Sequence, residues 1–374
     1  MKKIAYIELD THAEIALNFM ELMNDSTSFS VDYYFSEKIL KTLGLKESEN
    51  IKKTTSGNLI QQLSTNNYQL IIIGTVHRYF NNFEKVAEQF NTSIICHNLN
   101  FVKASKFDLL SSVFKEDIQY RLKLLLKEGL LRKSNVYKQA KNLLVLDANL
   151  ANNNNKNLPI FYTKFFEKPD NETFTIVIPG AVSQKRRDYK SVIKKLKKLE
   201  LNFEESELRR SETFVENTLS ERGSSVGTTQ KIQVIFLGKA QGKELEMLQD
   251  FDSSTSLRMT NISIKYFTEK VSQDNFDVYM QKADVLWCPI QQKTEFFSQK
   301  EIYGFTKMSG NIGDAVKFGK LAVFPDDYPS KYSFIIPEKG SLGDFLFTRK
   351  DVDFSEFSKE KVIQELEKTI FALL

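Results

Sequence analysis

The chain has 374 residues, of which 41% are hydrophobic and 27% are charged. This length exceeds that of a domain with a single ordinary core and suits two domains of roughly 150–200 residues each. The composition excludes intrinsic disorder. The formal net charge of +4 is too small to indicate a nucleic-acid-binding protein, so no nucleic-acid partner is expected.

The first half alternates short apolar runs with helical patterns, and this rhythm predicts a parallel sheet covered by helices. Strands are predicted at Ile4–Leu9, Val31–Phe35, Leu70–Gly74, Thr92–His97 and Leu143–Leu146. Helices are predicted at His12–Met23 and Asn82–Phe90.

The opening segment is not expected to be a signal peptide, because its apolar run is short and is broken by Glu8 and Asp10. No stretch approaches the roughly 18 apolar residues of a membrane span. The two cysteines, Cys96 and Cys288, lie inside apolar runs and fit a reducing compartment. Together these observations predict a cytoplasmic location.

A basic segment occupies residues 120–144. Its cations are interleaved with leucines: Arg121, Lys123, Lys127, Arg132, Lys133, Lys138 and Lys141. The pattern is typical of a solvated helix that packs one face on its own domain. It is also typical of a basic amphipathic helix on an anionic membrane surface. Peripheral contact with the inner face of the membrane is therefore an alternative that the sequence leaves open.

Asparagines crowd the segment 148–159, which predicts an exposed linker or turn. The alternation then restarts, with strands predicted at Phe174–Pro179, Ile232–Gly238, Ile262–Phe267, Val285–Pro289 and Leu321–Pro325. Helices are predicted at Asp188–Leu199, Lys243–Asp250, Phe276–Ala283, Asn311–Phe318 and Lys359–Leu374.

We therefore expect an α/β protein with two Rossmann-like, doubly wound domains that face each other across a cleft. The predicted domains are an N-terminal domain over residues 1–155 and a C-terminal domain over 156–355. A final helix is predicted over 356–374, and it could pack back on the N-terminal domain.

The strand that ends at Pro179 is followed by Gly180 and then by three consecutive cations, Lys185, Arg186 and Arg187. Glycine lets the backbone approach a ligand closely, and cations at a helix start suit a diphosphate. A second strand-to-glycine turn, at Gly238, is a weaker instance of the same pattern. The alternative for the segment after Gly180 is a solvated basic helix start, and the alternative for Gly238 is a plain tight turn.

A third segment carries the sharpest signal. Ser309, Gly310 and Asn311 open a short helix that Gly319 ends. A helix N-terminus offers backbone N–H groups to an anion, and Asp314 could accept hydrogen bonds from a ribose or sugar hydroxyl. An ordinary N-cap with an acidic first turn is the alternative.

The order of elements over about 174–325 resembles the donor half of GT-B glycosyltransferases of the family 4-like, group 1 type. An Ala-Asp turn at 283–284 precedes a strand that ends near Pro289, and the small-residue helix follows. That helix continues in the family's pattern of Ala, Gly and Val at intervals of four, here Ala315, Gly319 and Val323.

The resemblance implies a donor site for a nucleotide-diphosphate sugar in the C-terminal domain. The residues assigned to this site are Gly180, Lys185, Arg186, Gly238, Lys307, Ser309, Gly310, Asn311 and Asp314. Asp314 stands where the family has the second of two glutamates, but Thr306 replaces the first. The retaining subclass of the family therefore does not follow.

The resemblance also makes the N-terminal half the acceptor domain, for a glycan or lipid-linked acceptor. All three histidines of the chain follow predicted strands there. A histidine titrates near neutrality, so His12 is the candidate base for the acceptor hydroxyl, with Asp10 as its rival. His77 and His97 are assigned to the acceptor side. Packing or capping is the alternative role for each histidine.

The predicted activity is that of a hexosyl or related glycosyltransferase that needs neither a metal nor a cofactor, acting in polysaccharide biosynthesis. No zinc-like cluster of His and Cys occurs, and neither Asp-x-Asp triplet, at 250–252 or 351–353, directly follows a predicted strand. The alternatives are a degenerate GT-B-like binding or regulatory protein and a nucleotide-sugar epimerase. An epimerase of this fold would need more paired acidic and histidine groups.

Overall fold

The structure is a computed structural model that describes residues 1–115, 117–165, 173–201, 231–256, 261–346 and 352–374. The chain divides into two compact units, and each is assembled from segments that are distant in the sequence. The first unit comprises Met1–Tyr162, Lys293–Ser309 and Phe354–Leu374. The second comprises Thr163–Gln292 and Gly310–Asp353.

The first unit contains a seven-stranded parallel sheet. Its strands are β1 (Lys2–Glu8), β2 (Phe29–Phe35), β3 (Ile51–Lys53), β4 (Leu70–Ile73), β5 (Thr92–Ile95), β6 (Asn142–Val145) and β7 (Asn155–Asn157), in the order β3-β2-β1-β4-β5-β6-β7. All five strands predicted for the first half are present. The strand order reverses between β1 and β4, and open α/β sheets bind ligands beyond the carboxyl ends of the strands at such a switch point.

The helices of the first unit cover both faces of this sheet. They are α1 (Ala13–Met23), α2 (Glu37–Leu43), α3 (Leu59–Ser64), α4 (Phe80–Gln89), α5 (Leu99–Lys103), α6 (Lys106–Val113), α7 (Ile118–Leu126) and α8 (Lys133–Gln139). Side chains of β1 alternate between two cores, with Ile4 and Tyr6 in one and Ala5 and Ile7 in the other. This is the two-residue period of a strand buried on both faces.

The asparagine-rich segment belongs to the first sheet, and its prediction as an exposed linker or turn is wrong for β7. This strand pairs in parallel with β6. The side chain of Asn152 accepts hydrogen bonds from the N–H groups of Asn154 at 2.8 Å and Asn155 at 3.1 Å. A turn that is closed by asparagines has the same composition as an exposed linker, so the sequence pattern does not distinguish the turn from the linker.

The segment 120–144 is not a single helix, contrary to both interpretations of its sequence, the solvated helix and the helix on a membrane surface. α7 ends at Leu126, and Gly129 has a φ of 75°, which favours glycine and separates α7 from α8. Lys133 is fully buried, and its Nζ donates hydrogen bonds to the carbonyl groups of Phe101, Val102 and Ala104 at 2.6–2.9 Å. This buried cation stabilises the C-terminal end of α5.

The second unit contains a six-stranded parallel sheet. Its strands are β8 (Phe174–Pro179), β9 (Ile232–Lys239), β10 (Ile262–Phe267), β11 (Val285–Trp287), β14 (Leu321–Pro325) and β15 (Ile335–Glu338), in the order β10-β9-β8-β11-β14-β15. Its helices are α9 (residues 189–201), α10 (Gly242–Ser256), α11 (Gln273–Lys282), α12 (Gly310–Phe318) and α13 (Leu342–Leu346). The order again reverses at one place, between β8 and β11. Two doubly wound parallel sheets confirm the predicted fold class.

Two further segments complete the first unit. An antiparallel hairpin of β12 (Lys293–Phe296) and β13 (Gln299–Ile302) packs against α5, because the buried carboxylate of Glu301 accepts a hydrogen bond from the N–H of Phe101 at 2.8 Å. Helix α14 (Lys359–Phe371) packs into the first core, where Leu366 and Ile370 are fully buried. No helix in the described ranges is long and apolar enough to cross a membrane.

Candidate functional site

The three histidines lie together at the carboxyl edge of the first sheet. His12, His77 and His97 follow β1, β4 and β5 respectively. The rings of His12 and His97 are stacked, with centroids 3.9 Å apart and an interplanar angle of 18°. The ring of His77 lies 6.3 Å from that of His12 and 5.9 Å from that of His97. Because β1 and β4 flank the switch point, the cluster occupies the position where this fold binds ligands.

His12 is the residue at which the loop after β1 turns into α1. Its backbone is left-handed, with φ 59° and ψ 40°, and its carbonyl accepts hydrogen bonds from the N–H groups of Ile15 and Ala16. The side chain is 31% exposed, and Nδ1 lies 3.4 Å from Oε1 of Glu14. A left-handed backbone is uncommon for a residue other than glycine and persists only where its surroundings enforce it.

A buried carboxylate, Glu8, holds the loop in place. Its Oε1 accepts hydrogen bonds from the N–H groups of Asp10 at 3.2 Å and Thr11 at 3.3 Å. Its Oε2 accepts one from the hydroxyl of Thr75 at 2.7 Å. Glu8 therefore joins the loops after β1 and β4. Glu8 is not among the site residues predicted from the sequence, although a carboxylate that ends an apolar strand is a visible signal.

Burial governs the protonation of this cluster. It raises the pKa of Glu8 from 4.5 to about 7, against the hydrogen bonds from Thr75 and the loop. It lowers the pKa of His77 to about 3, assisted by the charges of His12 and Lys307, and it lowers the pKa of His97 well below its usual value. His77 and His97 are therefore neutral at neutral pH.

The hydrogen bond of His97 identifies its tautomer. Nε2 of His97 lies 2.8 Å from the carbonyl oxygen of Gly74. A carbonyl oxygen only accepts, so Nε2 carries the proton and Nδ1 of the neutral ring is the acceptor. His97 therefore presents a fixed, uncharged face to the ring of His12.

We expect Glu8→Gln to change the pH dependence of the free energy of unfolding. Since the folded state raises the pKa of Glu8 to about 7, wild-type Glu8 stabilises the fold while protonated and loses this contribution as pH rises from its unfolded value of 4.5 through 7. Glutamine does not titrate. The free energy of unfolding of the variant, relative to that of the wild type, should therefore rise by about 3 kcal/mol as the pH increases from about 4 to about 8. Urea unfolding across this range measures the difference. A constant difference would show that Glu8 has an ordinary pKa.

Asp10, the rival base, lies in an ion-pair network. Its Oδ1 is 3.2 Å from Nζ of Lys38 and 3.5 Å from Nη1 of Arg78. Arg78 also pairs with Glu128 at 2.7 Å. The carboxylate of Asp10 therefore faces two cations, whereas the ring of His12 lies against neutral His97.

The segment after the hairpin places two of the predicted donor residues, Lys307 and Ser309, in the first unit. The charge of Lys307 acts on the histidine cluster, where it lowers the pKa of His77 and His97 after burial and the neighbouring histidines. Ser309 is buried. Thr306 has a structural role, since its Oγ1 accepts a hydrogen bond from the N–H of Ile302 at 2.8 Å.

The second switch point, in the second unit, contains a guanidinium group. Arg187 lies over the turn at Gly180, whose φ is 98° and where a Cβ would meet Nη2 of Arg187 at 2.4 Å. Nη1 donates to the carbonyl of Ala181 at 3.3 Å, and Nη2 donates to Oδ1 of Asn311 at 3.2 Å. Its buried Nε has no hydrogen-bond partner among the described residues. The guanidinium thus spans the turn after β8 and the first turn of α12.

The three consecutive cations differ in what they contact. Lys185 and Arg186 are exposed in the turn before α9, and the carbonyl of Arg186 accepts a hydrogen bond from the N–H of Gln291 at 2.8 Å. Arg187, which the sequence analysis did not assign to the site, is the cation directed at Gly180 and Asn311. The register of the turn determines which of the three cations is directed at the site, and the sequence of the three does not indicate which one it is.

The N-terminus of α9 does not offer the anion site expected from the sequence. Oδ1 of Asp188 accepts a hydrogen bond from the N–H of Ser191 at 3.2 Å, and Oε1 of Gln184 accepts one from Lys190 at 3.1 Å. These side chains occupy first-turn donors. The N-terminus of α12 lies beside Arg187 instead, and Oδ2 of Asp314 there accepts a hydrogen bond from the side chain of Asn311 at 3.1 Å.

Gly238 shapes the turn at Gly180 from inside β9. A Cβ at this position would lie 2.2 Å from the carbonyl oxygen of Gly180. We expect Gly238→Ala to push the Gly180 turn outward and to lower the free energy of unfolding by about 1–3 kcal/mol. Gly310→Ala is the matched control, because a Cβ there meets nothing within 4 Å. Urea unfolding of both variants measures the effect, and equal stabilities would contradict this account of Gly238.

No group of three or more His, Cys, Asp or Glu side chains within the described ranges is arranged to hold a metal ion. The triplet at 250–252 lies inside α10. The triplet at 351–353 begins at a residue outside the described ranges.

No protein-family model matches the chain, and no curated protein matches it. Solved structures do match. The UDP-GlcNAc 2-epimerase of Methanocaldococcus jannaschii is 8% identical, with a TM-score of 0.51 and coverage of 99% of both chains. The UDP-GlcNAc 2-epimerase of Neisseria meningitidis, solved with bound UDP-GlcNAc, is 9% identical with a TM-score of 0.47, over 99% of this chain and 91% of that one.

MurG of Acinetobacter baumannii, a GT-B-fold glycosyltransferase, is 11% identical with a TM-score of 0.42, over 100% of this chain and 92% of that one. The fold assignment rests on the first of these three structures, the only one of them whose TM-score exceeds 0.5. The chain has the two-domain α/β fold of the GT-B type, as the sequence predicted.

Proposed function

We propose that this protein is a glycosyltransferase that moves a sugar from a nucleotide-diphosphate sugar to a hydroxyl of a glycan or lipid-linked acceptor. The observation that carries the proposal is the guanidinium of Arg187. Its hydrogen bonds within the described residues go to neutral acceptors, Ala181 and Asn311, and its Nε donates to none. A partly buried guanidinium without a carboxylate partner is well suited to an anion, and a diphosphate matches its fork of donors.

The donor role falls to the edge of the second sheet. Arg187, the glycine turn at Gly180 and the N-terminus of α12 would bind the diphosphate and stabilise the charge that develops as it leaves. Exposed Lys185 and Arg186 add positive potential around this edge. Asp314 remains the candidate for a ribose or sugar hydroxyl.

The acceptor role falls to the histidine cluster. His12 would remove the proton from the acceptor hydroxyl while that oxygen forms a bond to the anomeric carbon. The bond from the anomeric carbon to the diphosphate oxygen breaks, and the nucleoside diphosphate leaves with the electron pair. Glu8 fixes the loop that carries His12, and neutral His97 supports its ring without competing for the proton.

One observation favours a nucleotide-sugar epimerase as the second candidate. This function requires paired acidic and histidine groups, and the first unit brings Glu8 and Asp10 to the same edge as all three histidines. Product analysis separates the two candidates, because an epimerase converts its nucleotide sugar without an acceptor.

Calorimetry against UDP, GDP, TDP, CDP and ADP tests the donor site first. Binding of one of them by the wild type and its loss in Arg187→Ala would support the proposal and identify the nucleobase of the donor. NMR of the matching nucleotide sugar then distinguishes isomerisation without acceptor from transfer to an added acceptor. Binding without either reaction would indicate a degenerate binding protein, and no binding of any diphosphate would refute the donor site.

A further inference from the structure

Exposed apolar side chains are concentrated in one short stretch of the first unit. Eleven large hydrophobic residues are exposed among the described residues, and six of them lie within 107–126. These six are Phe107, Leu110, Phe114, Ile118, Tyr120 and Leu126. Phe107 is 79% exposed and Phe114 is 72% exposed. A concentration of this kind marks an interaction surface, and we call it the α6–α7 face.

Helical geometry places these side chains on the outer sides of two helices. Phe107 and Leu110 are three residues apart and share one side of α6, and Phe114 directly follows the last residue of this helix. The opposite side of α6 is buried through Leu109 and Val113. Ile118 and Leu126 are eight residues apart and share a side of α7, whose inner side is buried through Arg121 and Leu124.

An internal hydrogen bond holds the two helices together. The buried guanidinium of Arg121 donates from Nη1 to the carbonyl of Ser112 in α6 and to Oγ of Ser298 at 3.0 Å. The apolar side chains are therefore presented by two fixed helices.

The charge around this face complements an anionic partner. Apart from buried Arg121, residues 103–127 contain five cations and three acids, an excess of two positive charges. One of the acids, Asp108, forms a capping box with Ser105 at the start of α6. The exposed lysines are Lys103, Lys106, Lys115, Lys123 and Lys127. Exposed lysines next to protruding aromatic side chains are typical of a surface that inserts shallowly among lipid headgroups.

We propose that the α6–α7 face docks this protein on a bilayer that contains anionic lipids. The aromatic and aliphatic side chains enter the boundary between headgroups and acyl chains, and the lysines bind the headgroup phosphates. This surface differs from the basic segment 120–144 considered from the sequence, because it centres on α6 and excludes buried Arg121 and Lys133.

Vesicle co-sedimentation tests the proposal. Vesicles of phosphatidylcholine alone are compared with vesicles that also contain about one-third phosphatidylglycerol. The double variant Phe107→Ser/Phe114→Ser removes the aromatic contacts, and Lys106→Gln/Lys115→Gln removes charge. The control is Val278→Ser, which changes an exposed apolar side chain of the second unit.

We expect the wild type and Val278→Ser to bind the anionic vesicles, and each double variant to bind about tenfold more weakly or worse. Binding by the wild type should also weaken as salt increases. Equal binding by the wild type and the phenylalanine variant would overturn the proposal, as would no binding of the wild type. Concentration-dependent dimers that disappear in the phenylalanine variant, without vesicle binding, would assign the face to self-association instead. Circular dichroism of each variant checks that the fold is intact.

Discussion

Arg187→Ala should weaken the binding of the nucleoside diphosphate by about 100-fold, the largest effect expected of any single change in the second unit. The guanidinium lies over the Gly180 turn and reaches Asn311, so alanine removes both the positive charge and a fork of donors from the place where the phosphates would sit. Isothermal calorimetry with the diphosphate that the wild type binds gives the ratio of the two dissociation constants.

Arg186→Ala is the matched control for this measurement. It removes the same side chain one residue earlier, from an exposed position, and an exposed charge should change affinity by no more than about fivefold. Arg187→Lys keeps the charge but loses the planar fork, so only partial recovery is expected. If Arg186→Ala proved as damaging as Arg187→Ala, the affinity would come from the general basic charge of the turn.

His12→Asn should lower the rate of sugar transfer by about 100- to 1,000-fold while leaving the affinity for the nucleoside diphosphate unchanged. Asparagine tolerates the left-handed backbone that His12 adopts, so the substitution removes the ring with little strain on the loop. Steady-state kinetics with the cognate nucleotide sugar and acceptor measure kcat, and calorimetry measures the affinity.

Asp10→Asn separates the two candidate bases. It keeps the size of the side chain but removes the charge that faces Lys38 and Arg78. We expect a smaller loss of kcat than in His12→Asn. The reverse order of effects would assign the base to Asp10 and leave His12 a structural role at the start of α1.

Much of the fold is predictable from the sequence because strands buried on both faces are unbroken apolar runs. Leu70–Ile73 is such a run, and it forms the central strand β4 with all four side chains buried. Glycine and cap residues then fix where several helices begin and end, as Gly319 does after α12. The edge strand β7 is hidden from this reasoning, because its residues are asparagines and a lysine and only its pairing with β6 makes it a strand.

The sequence predicts those parts of the candidate site that directly follow a predicted strand, and no others. His12, His77 and His97 each follow a strand in the sequence, and parallel topology then brings them to one edge. The choice of Arg187 over Lys185 and Arg186 depends on the register of a turn, and the role of Glu8 depends on hydrogen bonds from two separate loops. Neither of these three-dimensional relations leaves a periodic trace in the sequence.

The segmental make-up of the first unit has a consequence for how the protein is synthesised. Leu366 and Ile370 complete a core whose other members begin at Ile4, so the first hundred and sixty residues leave the ribosome without the helix that covers them. Domains ordinarily fold in turn as they emerge, N-terminal first. Here the first unit cannot complete its core until Leu366 and Ile370 have been synthesised, so the apolar side chains that they cover stay exposed while the intervening second unit is translated.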